Sequence, residues 1–224
     1  MKKLSSLTYL LLVVIFFIPP CFAQGQQKPV IAVQPRPGDA PLTLFVAGDY
    51  FGQKFSDVNA IYQSIEKNYS LPAGNDFKNY YFVMAGVRYT PSSGQSIQGE
   101  FGGSVWKAEK GGSANFLQMY YTGGSYIVSV PVSMASIYGG GGLGYIWLNT
   151  QRTYTSFPGV AQVNAQLAQL HALVGLQFFS SSGVSFAIEG RYAYAATVSP
   201  TRSDLDFVMK GITGGIQIGI PITI

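Results

Sequence analysis

The stretch "FAIEGRYAYA", residues 186 to 195, decides the fold of this chain. It places a carboxylate and a guanidinium, Glu189 and Arg191, two residues apart inside an apolar run. Alternate residues of a β-strand face opposite sides, so both charges share one face with alanines. The opposite face carries Phe186, Ile188, Tyr192 and Tyr194. Such a strand has its apolar face either in a soluble core or in lipid.

The composition points to a protein whose surface is only partly in water. Charged residues make up 11% of the 224 residues, against roughly 25% in ordinary soluble domains. Glycine (27), tyrosine (15) and phenylalanine (15) are abundant. The length fits one domain of sandwich or barrel size.

The first residues, "MKKLSSLTYLLLVVIFFIPPCFAQ", have the layout of a secretory signal peptide. Two lysines precede an apolar run that is shorter than the roughly 20 residues a spanning helix needs, and a small-residue site ends at Ala23. We expect residues 1–23 to be cleaved; an uncleaved anchor helix is the alternative. Cleavage removes Cys21, the only cysteine, so no disulfide is expected. Residues 24–40, rich in Gln and Pro, indicate an extended periplasmic leader.

The rest of the chain predicts strand after strand, separated by turn signals. Eight strand segments follow one another: residues 41–51, 79–90, 96–107, 115–132, 136–149, 164–179, 184–198 and 207–224. Several alternate cleanly, as when Ile97, Phe101 and Val105 oppose Gln98, Glu100 and Ser104. No later segment has the pattern of a membrane helix, and lipid tolerates a sheet only as a closed barrel.

The connections alternate in length. Short turns are predicted at residues 91–95, 133–135 and 180–183, and longer polar loops at 52–78, 108–114, 150–163 and 199–206. An even strand number with short turns at one end and longer loops at the other is the outer-membrane plan. The predicted fold is therefore all-β: an eight-stranded antiparallel up-and-down transmembrane β-barrel of residues 41–224, located in the cell outer membrane.

Three local features accompany this barrel. Apolar residues at helical spacing predict a short amphipathic helix at residues 57–68 in the first long loop, capped by Ser56 or Asp57. A change of parity near Gly123 and Gly124 predicts a β-bulge. Interfacial aromatic girdles are expected to include Trp106, Trp147, Tyr120, Tyr121 and Tyr154.

The glycine-rich "IYGGGGLGYIW" (residues 137–147) and the trio Glu189, Arg191 and Tyr192 carry a family resemblance. Over roughly residues 41–224 the chain resembles the small outer-membrane β-barrels of the OmpA-like and opacity-protein superfamily. The resemblance implies a monomeric barrel that periplasmic chaperones and the barrel assembly machinery deliver into outer-membrane lipid and lipopolysaccharide. The chain departs from this pattern at its end, where Ile224 replaces the usual aromatic residue and Pro221 lies in the closing strand.

The candidate site is a lumenal polar network. An eight-stranded barrel has just enough interior for side chains, and the alternation places Asp49, Arg88, Glu100, His171, Glu189 and Arg191 inside. Unpaired charges there are costly, so we expect pairing. Arg88 and Glu100 lie on one hairpin and are expected to pair, with Glu189 and Arg191 joining them across the lumen. The alternative is a gate whose partners exchange.

The functional prediction is a non-enzymatic barrel with a structural or surface-interaction role through its extracellular loops. A narrow, porin-like gated channel for ions or small solutes is the alternative. The third possibility, a lipid A-modifying enzyme, has only His171 as a base, with Leu173 where a serine would be needed. A soluble lipocalin-like carrier would invert the facing pattern.

Charge and motifs exclude other classes. Without Lys2 and Lys3, 12 basic residues stand against 10 acidic ones, so the mature chain carries about +2 and has no basic cluster for nucleic acid. No paired Cys/His spacing and no phosphate-binding loop is present in the sequence, so neither a metal nor a cofactor is expected.

Overall fold

A computed structural model of the chain describes residues 42–52, 55–78, 80–92, 94–110, 112–132, 135–180, 182–200 and 208–222. Its elements are β1 Leu42–Phe51, α1 Ser56–Asn68, β2 Tyr80–Ser92, β3 Gln95–Lys110, β4 Ser113–Val132, β5 Ala135–Tyr154, β6 Phe157–Phe179, β7 Ser185–Pro200 and β8 Val208–Ile222. The predicted eight-stranded barrel is confirmed. The predicted signal peptide (1–23) and leader (24–40) lie outside the described residues.

The sheet is a closed barrel in which each strand is antiparallel to the next. β1 closes the ring by pairing with β8 from Leu42 opposite Ile222 to Phe51 opposite Thr213. Pro221, opposite Thr43, is part of this closing pair. We call the end with Leu42 and Ile222 the termini end, and the opposite end, which holds α1 and the β3–β4 and β5–β6 turns, the helix end.

The barrel wall is tallest on one side, where β4, β5 and β6 have 20, 20 and 23 residues against 10 in β1. The loops predicted at 108–114 and 150–163 are therefore wrong, because β3 runs to Lys110 and β5 to Tyr154. Polar side chains in and next to these segments can lie inside the barrel, as Asn115 and Arg152 do. Their polarity therefore does not mark a loop. Gly112, at a φ of 82°, makes the tight β3–β4 turn.

The outside of the barrel is apolar toward the termini end. Exposed side chains include Leu143 (65%), Val174 (61%), Ile188 (54%), Ile212 (68%) and Ile216 (52%). The alternation predicted for β3 and β7 is confirmed, and β6 and β8 show the same pattern. Ile97, Phe186, Val174 and Ile218 are exposed, while Gln98, Ala187, Leu173 and Gln217 next to them are buried. The fold thus has bulky apolar residues outside and small or polar ones inside in these strands.

The interior is layered, as the inward residues of β4 show. From the helix end they run Asn115, Leu117, Met119, Tyr121, Ser125 and Ile127, all buried. An apolar layer separates the polar groups near the helix end from those in the middle of the lumen. It consists of Phe82, Leu117, Met119, Ile146, Leu148, Leu167 and Met209, none more than 2% exposed. A second small apolar cluster, Ile127, Tyr138, Leu173 and Ala187, lies nearer the termini end.

Two predictions based on the apolar pattern of the strands are wrong for the same reason: the β-bulge in β4 and the outward placement of some aromatic residues. β4 keeps its register through Gly123 and Gly124, so no bulge lies there; the register shifts fall near Ser92, Tyr154 and Leu167. Tyr121 and Tyr154 are buried inside, and Trp106 packs on the core, whereas Tyr120 and Trp147 are exposed outside. Because the inward residues of the apolar layer are as apolar as the outward ones, the sequence does not show which residues of these strands face inward.

Helix α1 lies in the mouth of the barrel. Val58 and Tyr62 are buried in the same hydrophobic core as Phe77, Leu117 and Leu148. The helix starts with Phe55 as N-cap and no side-chain cap, so the predicted capping by Ser56 or Asp57 is wrong; Asp57 instead accepts a hydrogen bond from the Val208 backbone N–H (3.1 Å). Within the described residues, no helix has the length and apolarity to cross a membrane.

Candidate functional site

The centre of the lumen is an ion-pair cluster built on Arg191 of β7. Its guanidinium donates to both oxygens of Glu100 across the lumen (2.5 and 3.1 Å) and to Glu189 on its own strand (2.8 Å). Arg191 and Glu100 are buried, at 5% and 4% exposed. A bidentate guanidinium–carboxylate pair is the strongest and most directional form of such a contact. It ties β7 to β3 through the middle of the barrel.

Arg88 lies in the same network but does not pair with Glu100 as predicted. The register places it opposite Gln98, while Glu100 lies opposite Gly86. Its guanidinium donates to glutamine oxygens on three strands: Gln98 (2.8 Å), Gln177 (2.9 Å) and Gln217 (2.9 Å). Gln98 in turn donates to Glu100 (2.8 Å), so one amide links the two charged residues.

Neutral partners complete the network and were missed by the sequence reasoning. Tyr121 donates to Glu100 (2.9 Å) and Tyr138 to Glu189 (3.0 Å), while the Arg88 guanidinium lies 5.2 Å from the centre of the Tyr138 ring. We call the whole set the lumenal network: Arg88, Gln98, Glu100, Tyr121, Tyr138, Gln177, Glu189, Arg191 and Gln217. Inward parity was the signal for Gln98, Gln177 and Gln217.

The predicted residue His171 is next to this network but bonded elsewhere. Its Nε2 lies 2.7 Å from the Ser125 hydroxyl of β4, an arrangement that a nucleophile and its base also adopt. Both side chains are more than 90% buried, and His171 Nδ1 has no hydrogen-bond partner among the described residues. The pair therefore lacks, among the described residues, a third group that would orient the imidazole as a base.

The glycine run of β5 makes room for these rings. A Cβ at Gly142 would lie 2.7 Å from His171 Nε2 and 2.1 Å from the Gly124 carbonyl oxygen, and one at Gly144 would lie 2.2 Å from the Tyr121 ring. Real Cβ atoms do not come that close to other atoms. Two glycines of the "GGGGLG" motif, Gly142 and Gly144, are therefore explained by lumenal packing of His171 and Tyr121.

Asp49, placed inward by the alternation, is buried (6% exposed) at the edge of the network. It lines a void of about 10 Å³ together with Glu100, Glu189 and Arg191, which is room for about one water molecule. The lumen is thus filled at this level.

A second polar cluster, absent from the sequence prediction, lies at the mouth. Arg152 of β5 is fully buried and donates to Glu66 of α1 (2.5 Å), to the Asn115 side chain (2.7 Å) and to the Asn75 carbonyl. Glu66 also accepts from Tyr154 (3.2 Å) and from the Gly74 backbone (2.9 Å). We call Tyr62, Glu66, Asn75, Asn115, Arg152 and Tyr154 the mouth cluster.

Tyr62 joins the helix to the wall inside this cluster. Its ring centre lies 4.6 Å from the Arg152 guanidinium, within the range of a cation–π contact. Its hydroxyl lies 3.0 Å from Thr150. Burial raises the pKa of Tyr62 to about 12, so the hydroxyl stays protonated and neutral at physiological pH.

Comparisons with known proteins found matches among solved structures. No family model and no curated protein sequence matches the chain. Among solved structures, Neisserial surface protein A has 10% identity and a TM-score of 0.52, covering 80% of this chain and 97% of that one. Ail, the attachment invasion locus protein of Yersinia pestis, in complex with the heparin analogue sucrose octasulfate, has 16% identity, a TM-score of 0.42 and coverages of 80% and 93%.

The N-terminal β-barrel domain of Pseudomonas aeruginosa OprF has 8% identity, a TM-score of 0.38 and coverages of 81% and 98%. At these identities the likeness concerns the fold alone. This chain shares the barrel fold of Neisserial surface protein A.

Proposed function

We propose that this protein spans an outer membrane as a monomeric, sealed barrel and serves, without catalysis, a structural or surface-interaction role at its helix end. One observation supports the membrane location above all: the outward residues of β5 change from apolar to uncharged polar at one level. On β5 they run Ile137, Leu143, Tyr145, Trp147, Asn149, Gln151. The change occurs just beyond Trp147.

The apolar part has the height of a bilayer. From Ile137 to Trp147 the strand rises about 33 Å at roughly 3.3 Å per residue, which at a tilt of about 40° is about 25 Å, the height of the apolar band of outer-membrane barrels. Among the described strand side chains, the outward charges are Lys107, Glu109 and Lys210, all near the helix end. No outward charge therefore interrupts the belt in the part of the wall described.

The filled lumen supports a sealed barrel over a channel. The apolar layer lies between the mouth cluster and the lumenal network, and α1 covers that layer from the helix end. Wild-type protein in a planar bilayer should show no steady conductance, and Glu189→Ala should not change this. Stable openings of the wild type would favour the channel instead.

The helix end offers the surface for external contacts. An open cleft of about 570 Å³ lies beside the β3–β4 and β5–β6 turns, lined by Glu109, Ser113, Thr153 and Thr155 among others. In the outer-membrane plan the longer connections face outward. The longest described connection, from β1 to β2 with α1, lies at the helix end, so this end faces outward and the termini end faces the periplasm.

Two experiments test the proposal. The protein should fractionate with outer membranes and migrate faster on gels before heating than after it; recovery from the soluble periplasm would contradict the membrane location. An epitope tag in the β5–β6 turn, at Thr155, should bind antibody on intact cells, whereas the same tag at Ser182 in the β6–β7 turn should not. The reverse labelling would invert the orientation.

Leu143→Arg gives a matched test of the belt. A guanidinium in the lipid-facing band should lower the free energy of unfolding by about 2 kcal/mol or more. Gln151→Arg on the same face of the same strand, beyond the belt, should cost little. Equal costs would contradict the placement of the bilayer.

A further inference from the structure

The outer wall above the belt carries a grid of uncharged amide and aromatic side chains. In register across β4, β5 and β6, the rows read Tyr120–Trp147–Gln166, Gln118–Asn149–Asn164 and Phe116–Gln151–Gln162. We call the amides Gln118, Asn149, Gln151, Gln162, Asn164 and Gln166 the amide patch. All point outward and are partly or fully exposed.

The amide patch is ordered by bonds among its own members and their aromatic neighbours. Gln162 donates to Asn164 (3.2 Å) and to Asn149 (3.4 Å). Tyr145 donates to Gln166 (2.6 Å), and its ring lies 4.7 Å from that of Trp147, edge to face. Four of its amides are therefore oriented by these bonds, and the rings of Tyr145 and Trp147 border the patch.

Its chemistry suits sugar hydroxyls. Each amide offers two donors and an acceptor, which match hydroxyl groups that both donate and accept, while exposed aromatic rings offer apolar faces to the C–H faces of a sugar ring. No charged side chain belongs to the patch. Outside it, Lys107 and Glu109 on the adjoining strand β3 bind each other (2.8 Å), so the cation described beside the patch already has a carboxylate partner.

The position of the patch indicates which sugar-bearing molecule can reach it. It faces sideways, directly beyond Trp147 and Tyr120, and such aromatics mark the boundary between lipid tails and headgroups. We propose that the amide patch binds the uncharged sugars in the headgroup of an outer-leaflet glycolipid. This proposal depends on the proposed membrane location.

The test compares two purified glycolipids with the full-length protein folded in detergent micelles. One carries a core oligosaccharide of neutral sugars, and the other is the same lipid A without it. The core-bearing lipid should bind more tightly to the wild type by isothermal titration. Gln151→Ala combined with Gln162→Ala should weaken that binding by about tenfold, the loss expected from two hydrogen bonds, and leave lipid A binding unchanged.

Gln63→Ala is the matched control, because Gln63 is an exposed amide at the same end of the barrel but on α1. It should bind like the wild type. Equal binding of both lipids, or an unchanged affinity of the double variant, would overturn the proposal. So would a dimer of wild-type barrels that the double variant abolishes, since a second copy would then cover the patch.

Heat-modifiable migration distinguishes a failure of sugar binding at the amide patch from a failure of the proposed membrane location. If the variants keep it, their loss of binding concerns the patch and not the fold. If the wild type lacks it and is recovered from the soluble periplasm, the proposed membrane location fails, whatever the titrations show.

Discussion

The two buried charge clusters of this barrel differ in how many carboxylates their central arginines bind. Arg191 of the lumenal network binds two carboxylates, Glu100 and Glu189, both on strands. Arg152 of the mouth cluster has one carboxylate partner, Glu66, which comes from helix α1. The first arrangement distributes its contacts over the strands of the wall. In the second, one ion pair joins the whole of helix α1 to the barrel. Substitutions should therefore act globally but moderately in the network, and locally but strongly at the mouth.

Arg152→Ala should have the largest effect. It leaves Glu66 buried without its guanidinium, at a cost of about 3–5 kcal/mol for breaking a buried pair, so α1 should undock while the strands stay paired. Trypsin should then cleave after the exposed Lys67 at least tenfold faster than in the wild type, with heat-modifiable migration retained. An unchanged cleavage rate would show that the helix is held by its apolar face alone.

The double variant Arg152→Met with Glu66→Leu sharpens this result. Replacing a buried ion pair by apolar groups of similar size is often neutral, so protection from trypsin should return. If the double variant is cleaved as fast as Arg152→Ala, the bonds from Arg152 to Asn115 and Asn75 matter more than the ion pair.

Glu100→Ala should come second, with a loss of about 2–3 kcal/mol in the free energy of unfolding. Arg191 keeps Glu189, but Tyr121 and Gln98 lose an acceptor. Urea unfolding of the barrel in lipid vesicles measures this, and α1 should remain protected from trypsin. Exposure of α1 in this variant would show that the two clusters are coupled through the apolar layer.

Tyr62→Phe should cost about 1 kcal/mol, because it removes the bond to Thr150 but keeps the ring beside Arg152. The loss should appear as faster hydrogen exchange in α1 and not in the strands. Exchange that increases in the strands as well would place Tyr62 in the global core.

Glu189→Gln should have the smallest effect, about 0.5–1 kcal/mol in urea unfolding. Glutamine retains an acceptor for Tyr138, and Arg191 keeps its bidentate bond to Glu100. A loss larger than that of Glu100→Ala would show that Glu189 contributes more to stability than Glu100. It would contradict the view that Arg191 can lose one of its two carboxylate partners at little cost.

The same contrast explains what could be predicted from sequence. The lumenal residues stand on strands whose alternation is clean, so the positions of Arg88, Glu100, His171, Glu189 and Arg191 could be read from parity. Their partners could not, because pairing depends on register: one step of two residues separates an Arg88–Glu100 pair from the observed Arg88–Gln98 contact.

The mouth cluster could not be read from parity at all. Arg152 lies in a segment whose outward residues are polar because they stand above the belt, and such a segment resembles a loop. Glu66 lies on a helix whose hydrogen-bond partners come from the separate strands β5, β6 and β8. A contact between residues 86 positions apart in sequence leaves no local signal in a single chain.

The most direct test of the membrane-spanning barrel is the accessibility of spin labels on β5. Single cysteines replace Leu143 and Gln151, which face the same side of one strand, in a chain whose Cys21 is also replaced, and the barrel is reconstituted in lipid vesicles. The label at 143 should collide mainly with oxygen, which concentrates in lipid, and the label at 151 mainly with a water-soluble nickel chelate. A label at 143 that is as accessible to the chelate as the label at 151 would contradict the membrane-spanning barrel.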